Sequence, residues 1–165
     1  MAVVDKYANN NVALGKLANP AFIQGGDTLT LIATVAVAAA DDDGSIYRLG
    51  VSLNPNLIPI SIVLNNDTIT GGTDYELGLY VPGLGGEAKD IDVFLGTTSM
   101  ATGRATGSEL NALTAVAHAN KTKKLYEHAG DTVDTKQAGY DLALTANTVG
   151  TAAGSITVTA QFIQG

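Results

Sequence analysis

The sequence predicts a mainly β protein, an antiparallel β-sandwich or jelly-roll-like domain with a short helical insertion and an extended N-terminal arm. Three observations predict it. Apolar and polar residues alternate with a period of two over Thr28–Val37 and again from Tyr140 to Phe162, as half-buried strands require, because successive side chains point to opposite faces. Turn signals rich in Asp, Asn and Gly separate most of the alternating runs. Helical patterns do not alternate with the strands, which argues against a parallel α/β sheet. At 165 residues the chain fits one domain that can bury a core without cross-links.

Residues 1–26 (MAVVDKYANNNVALGKLANPAFIQGG) differ from the rest. Asn9, Asn10 and Asn11 stand in a row, Asn19-Pro20 follows, and Gly25-Gly26 closes a stretch whose apolar residues lack periodicity. This predicts an arm at 1–26 ahead of a single β-rich domain at 27–165. An irregular segment lying over its own domain is the alternative. The first strand places Leu29, Leu31, Ala33, Val35 and Val37 on one face. Asp41-Asp42-Asp43-Gly44 then makes a tight turn into a strand with Tyr47, Leu49, Val51 and Leu53 on one face and Arg48, Gly50 and Ser52 on the other. Residues 57–64 (LIPISIVL) form a third strand, placed at an edge because Pro59 has no backbone donor. Residues 74–81 (DYELGLYV) follow, with Tyr75, Leu77, Leu79 and Val81 inward, and then a shorter strand from Ile91 to Leu95.

The helical insertion is expected at about 106–129. Thr106 and Glu109 have capping-box spacing, and Leu110, Leu113 and Ala117 fall on one helical stripe. Asn120 would cap a second short helix over Lys121–His128, stopped by Gly130. Two strands close the chain, with Tyr140, Leu142, Leu144 and Ala146 inward on one and Ile156, Val158, Ala160 and Phe162 inward on the other.

Composition narrows the function. Charged residues are 15% of the chain, against an average of about 25%. With 19 Gly and no Trp, such a surface suits close packing in an assembly, with a stable, soluble monomer as the alternative. A net charge of −7 argues against nucleic acid, and the one basic cluster, Lys121, Lys123 and Lys124, is too small to offset it. The longest apolar run, Leu31 to Ala40, is too short for a membrane span, which needs about 20 residues. The N-terminus lacks a basic stretch followed by an apolar one, so no signal peptide is expected and synthesis is placed in the cytoplasm. Without cysteine there are no disulfides or thiolate ligands.

Catalytic patterns are not met. No Ser sits in a G-x-S-x-G elbow. His118 and His128 do not form H-E-x-x-H, and Gly83-Leu84-Gly85-Gly86 lacks the lysine of a phosphate loop. The Asp41–Asp43 run departs from EF-hand spacing, so it reads as a solvated turn, with a weak cation site as the alternative. No enzyme activity, catalytic residue, cofactor or metal is therefore expected. Only six Tyr and three Phe are available as sugar-stacking platforms, which weakens glycosidase and lectin readings.

The stretches VVDKYANNNVALGKLANPA, AAADDDGSIYRL, GTDYELGLY, KKLYEHAG and YDLALTANTVGTAAGSITVTAQFIQG run through most of the chain. In overall pattern it resembles the small Ala-, Gly- and Thr-rich virion structural proteins of tailed phages that decorate or cement the head. The resemblance implies a non-enzymatic β-domain on the outer capsid surface that reinforces contacts between major capsid subunits. It further implies the major capsid protein as partner, self-association with a trimer as one form, and location in the virion after synthesis in the host cytoplasm. No family motif transfers residues onto this chain, so contact candidates rest on their character alone. Tyr7, Leu14, Leu17 and Phe22 are the apolar anchors. Lys6, Lys16, Lys121, Lys123 and Lys124 would meet acidic capsid loops, with a solvated charged face as the alternative.

Three other readings predict different features. A carbohydrate-binding or adhesin module on a tail or fibre would show Tyr75 and Tyr80 beside carboxylates on a concave face. A small hydrolase would gather two carboxylates, or one with His118 or His128. A tail-tube or head–tail component would share the composition and differ in location.

Overall fold

A computed structural model describes residues 2–8, 23–25, 28–105, 107–114, 116–132 and 139–165. Their ten strands form two five-stranded sheets. The first runs β1 (Asp5–Tyr7), β4 (Ser45–Leu53), β9 (Tyr140–Thr148), β6 (Asp74–Tyr80) and β7 (Ala88–Thr98) in spatial order. The second runs β2 (Ile23–Gly25), β3 (Thr28–Val37), β10 (Gly154–Gln164), β5 (Leu57–Asn66) and β8 (Leu110–Asn111). Strand pairing is antiparallel except for β1 on β4. Four pairs nest around the chain's midpoint: β6 with β7, β5 with β8, β4 with β9, and β3 with β10. A chain doubled back on itself and then rolled gives this order, so the sandwich has jelly-roll connectivity.

The core lies between the sheets. Leu31, Ala33, Val35 and Val37 of β3 and Ile156, Val158, Ala160 and Phe162 of β10 meet Tyr47, Leu49, Tyr75, Leu77 and Leu144 of the other sheet, all buried. The alternation read for β3 and β10 is the alternation that packs here, whereas β9 is buried on both faces from Tyr140 to Ala146. β5 is not the sheet's edge, since it lies between β10 and β8, but among the described residues no strand pairs with it outside Pro59, because β8 pairs only with Val63 and Leu64. Opposite it the β5–β10 register slips: Gln161 faces Ser61 and Phe162 faces Pro59, leaving Ile60 unmatched in a β-bulge.

Two expectations need correction. The helical insertion forms, but as short turns without the expected first helix: Leu110 belongs to β8, Leu113 to a 3-10 turn over Ala112–Thr114, and Ala117 is exposed. Thr106, half of the expected capping box, lies outside the described residues. After a second 3-10 turn at His118–Asn120, one turn of helix, α1 (Leu125–His128), begins at Lys124, whose N–H donates to Glu127 Oε2 at 2.8 Å. Its end follows expectation. Gly130 takes a φ of 76°; the Asp131 N–H reaches Tyr126 O at 2.9 Å and the Gly130 N–H reaches Glu127 O at 3.2 Å, a Schellman stop. Asp41 is no solvated turn residue: it is 5% exposed. Arg48, on the opposite face of β4 from Tyr47, is wholly buried.

Candidate docking surface

The outer face of the second sheet is built from the polar half of each alternating strand. Register aligns Thr34, Thr157 and Asn65 in one row and Ile32, Thr159 and Val63 in the next. Thr30, Gln161 and Ser61 follow, then Thr28, Ile163 and Ile58. All twelve are at least partly exposed and none is ionisable. The Thr34 and Thr157 hydroxyls lie 2.9 Å apart, and Ile32 is 43% exposed. In a protein with 15% charged residues, these twelve positions carry none, while Glu109, which bonds Asn65, and Arg104 and Asp67 border the row of Thr34, Thr157 and Asn65. Such a face loses little hydration energy when a second protein covers it, since no charge has to be desolvated.

At one margin of this face the β5 bulge turns Ile60 outward, 46% exposed. Beside it is a depression of about 310 Å³ lined by Pro59, Ile60, Asn111, Leu113, Val116, Lys121 and His128. A second, polar depression of about 370 Å³ is lined by residues including Asn66, Asp67, Arg104 and Ser155. There Arg104 Nη1 donates to Asn66 Oδ1 at 2.9 Å and the Ser155 N–H to Asp67 Oδ2 at 2.8 Å. Neither depression gathers two carboxylates, or a carboxylate with a histidine.

A buried ionic cluster holds the N-terminal segment to the domain. Arg48 Nε and Nη2 donate to the two oxygens of Asp5 at 2.7 and 3.0 Å. Nη1 reaches Asp141 Oδ2 at 3.0 Å and Val81 O at 2.9 Å, and Nη2 reaches Gly86 O at 3.0 Å. The Gly83 and Gly85 N–H groups donate to Asp141 and Asp5, so the loop after β6 is drawn into the same network. Tyr80 lies under the guanidinium, its centroid 5.2 Å away.

Five of the nine expected contact residues are described: Lys6, Tyr7, Lys121, Lys123 and Lys124. Lys6 pairs with Asp41 at 2.8 Å and lies 5.1 Å from the Tyr47 ring centroid. Tyr7 is half-buried in β1, and burial first, then the Asp141 charge, push its phenol up. Leu14, Lys16, Leu17 and Phe22 lie outside the described residues. Lys121 is exposed at the 310 Å³ depression, Lys123 is half-buried, and Lys124 Nζ donates to Asn56 Oδ1 at 3.2 Å. Tyr75 and Tyr80, the sugar platform of the adhesin reading, are both buried. The acidic run is committed internally. Asp41 Oδ2 accepts from Lys6, the Ala38 N–H and the Tyr47 hydroxyl, while Asp43 Oδ1 accepts from the Val149 N–H. No cluster of three or more potential metal ligands occurs among the described residues. Sequence reasoning missed the uncharged face as a unit. Its signal was present in the Thr-rich outward positions, but the pairing of β3, β10 and β5 was needed to bring them together.

No family model and no curated protein matches the sequence. Solved structures do match its fold. A chain of the capsid of Ralstonia phage GP4 superposes with a TM-score of 0.64 at 14% identity, over 98% of this chain and 99% of that one. A chain of the cyanophage Pam1 capsid asymmetric unit gives 0.52 at 16% identity, over 93% and 96%.

Proposed function

We propose that this chain is a non-enzymatic virion structural protein that binds the outer surface of a phage capsid and reinforces contacts between major capsid subunits. The observation that carries this reading is the end-to-end likeness of its fold to a chain of a phage capsid, with almost nothing left over on either side. The uncharged outer face of the second sheet supplies a surface suited to lying on another protein. The N-terminal segment 1–26 acts as the arm, held to its own domain at Asp5–Tyr7 and Ile23–Gly25. Leu14, Leu17 and Phe22 between those strands are its anchors on a neighbouring subunit. Repetition over symmetric sites, with self-association of the chain, turns modest contacts into a strong lattice.

Co-sedimentation with heads that lack the protein tests the proposal. The intact chain should bind saturably. Ile32→Glu with Thr159→Glu places two charges on the neutral face and should abolish binding while the fold persists. Leu14→Ser with Leu17→Ser and Phe22→Ser should weaken it. These arm substitutions are preferable to deleting residues 1–26, which would also strip Asp5 from the buried Arg48. Failure of the intact chain to bind heads would sink the reading and direct attention to tail assembly.

A further inference from the structure

We propose that the depression beside the β5 bulge is a binding pocket for an apolar side chain carried next to a carboxylate on a partner protein. Its depth is apolar: Pro59, Leu113 and Val116 are buried, and the outturned Ile60 makes a lip. A volume of about 310 Å³ sits at the lower limit of ligand pockets, about 300 Å³, and accommodates one large side chain more readily than a cofactor. His128 is the polar group of the buried part. It is 7% exposed, and its Nε2 finds no hydrogen-bond partner among the described residues. Buried polar atoms are nearly always satisfied, so a ligand oxygen here would remove a standing cost. Burial first, and then the Lys123 charge, hold the imidazole below its usual range, so it meets a ligand as a neutral group. The ring is fixed against Phe94, centroids 5.3 Å apart and planes at 60°.

The rim supplies the sign of charge. Lys121 is exposed there and has no ion pair among the described residues. Lys123 also acts on His128, partly offset by the Glu127 carboxylate, in a chain whose net charge is −7. A local cationic rim over an apolar pocket selects an anionic, apolar occupant and repels acidic surface without an apolar group to insert. The inference goes beyond the capsid reading and does not depend on it, because a free probe reports on the pocket directly.

Amide NMR titration of the full chain with N-acetylphenylalanine, and with its uncharged amide as control, tests the pocket. Saturable shifts are expected at Ile60, Val116, Lys121 and His128. The acid should bind roughly fivefold more tightly than the amide at low salt, a preference that fades as salt screens the rim. Lys121→Ala should erase that preference and leave the fold alone. Ile60→Ala should weaken both probes alike. His128→Phe, which keeps the ring packing against Phe94, should lose binding of the acid. Absence of saturable shifts at these residues would overturn the proposal, as would equal binding of acid and amide. A preference that survives Lys121→Ala would overturn it as well.

Discussion

Arg48 keeps its charge in the interior because all five of its N–H donors are used, three on carboxylates and two on carbonyls. Removing one partner of such a cluster leaves a buried charge under-compensated. Asp141→Ala should therefore lower stability by about 3–5 kcal/mol, read from urea unfolding. Asp5→Ala should cost less, since the Asp5 side chain is 20% exposed and water can take its place, whereas Asp141 is 0% exposed. The reverse order would refute this account of the cluster. Asp41 gives a pH dependence. Burial alone would raise its carboxyl, but hydrogen bonds from Lys6, the Ala38 N–H and Tyr47 outweigh burial and hold it below the ordinary aspartate range. With the folded value depressed, the unfolded chain takes up the proton first as pH falls. The stabilisation is full at neutral pH, fades below the unfolded value of about 4, and is lost below the folded value. Asp41→Asn should melt below the native protein at pH 7, and the gap should narrow as pH drops under about 4. An unchanged gap at pH 3 would count against the assignment.

Among the elements, β7 shows how a strand escapes a period-two reading. Between the Leu77–Leu95 and Leu79–Asp90 pairings, β6 advances two residues while β7 advances five. The surplus forms a wide bulge that turns Phe94 fully inward and lays the Asp90–Ile91 backbone over Gly78. A Cβ at Gly78 would stand 1.9 Å from Asp90 O and 2.5 Å from the Ile91 carbonyl carbon. Gly78→Ala must push β7 off the sheet and should cost at least the overpacking range of about 1–3 kcal/mol in urea unfolding. A neutral substitution would mean that the bulge yields freely. The same physics explains what could be read beforehand. Strands β3 and β10 were legible because each alternates against one core, and the core-facing Tyr140, Leu142, Leu144 and Ala146 of β9 keep the same period although its other face is buried too. Only the middle of β7, Ile91 to Leu95, looked like a strand, because the bulge breaks its period. The stripe of Leu110, Leu113 and Ala117 suggested a helix, since a two-residue strand followed by a 3-10 turn spaces apolar residues at three and four. Arg48 could not be placed, because the carboxylate that buries it from above, Asp5, lies 43 residues earlier. The neutral face was likewise written in single strands and became a surface only through their order.

At the scale of the whole molecule, the sheet edges are blunted. Three of the four edge strands, β1, β2 and β8, have three residues or fewer. The fourth, β7, is bulged and carries Lys89, Asp90 and Asp92. Short, bulged or charged edge strands resist pairing with another chain, so the described edge strands disfavour edge-to-edge sheet extension. The connectivity also puts the end of the chain at its centre. β9 lies between β4 and β6, and β10 lies between β3 and β5. The bond between the Thr34 and Thr157 hydroxyls spans 123 residues. A chain ending after residue 153 would therefore lose the strand that joins β3 to β5, together with the buried Ile156, Val158, Ala160 and Phe162. It should lack the dispersed amide spectrum of a folded β protein, and the full chain should refold in milliseconds to seconds, as non-local pairing demands. A truncated chain with native-like dispersion would show that the two sheets form independently. That would contradict the nested pairing from which this account of the fold proceeds.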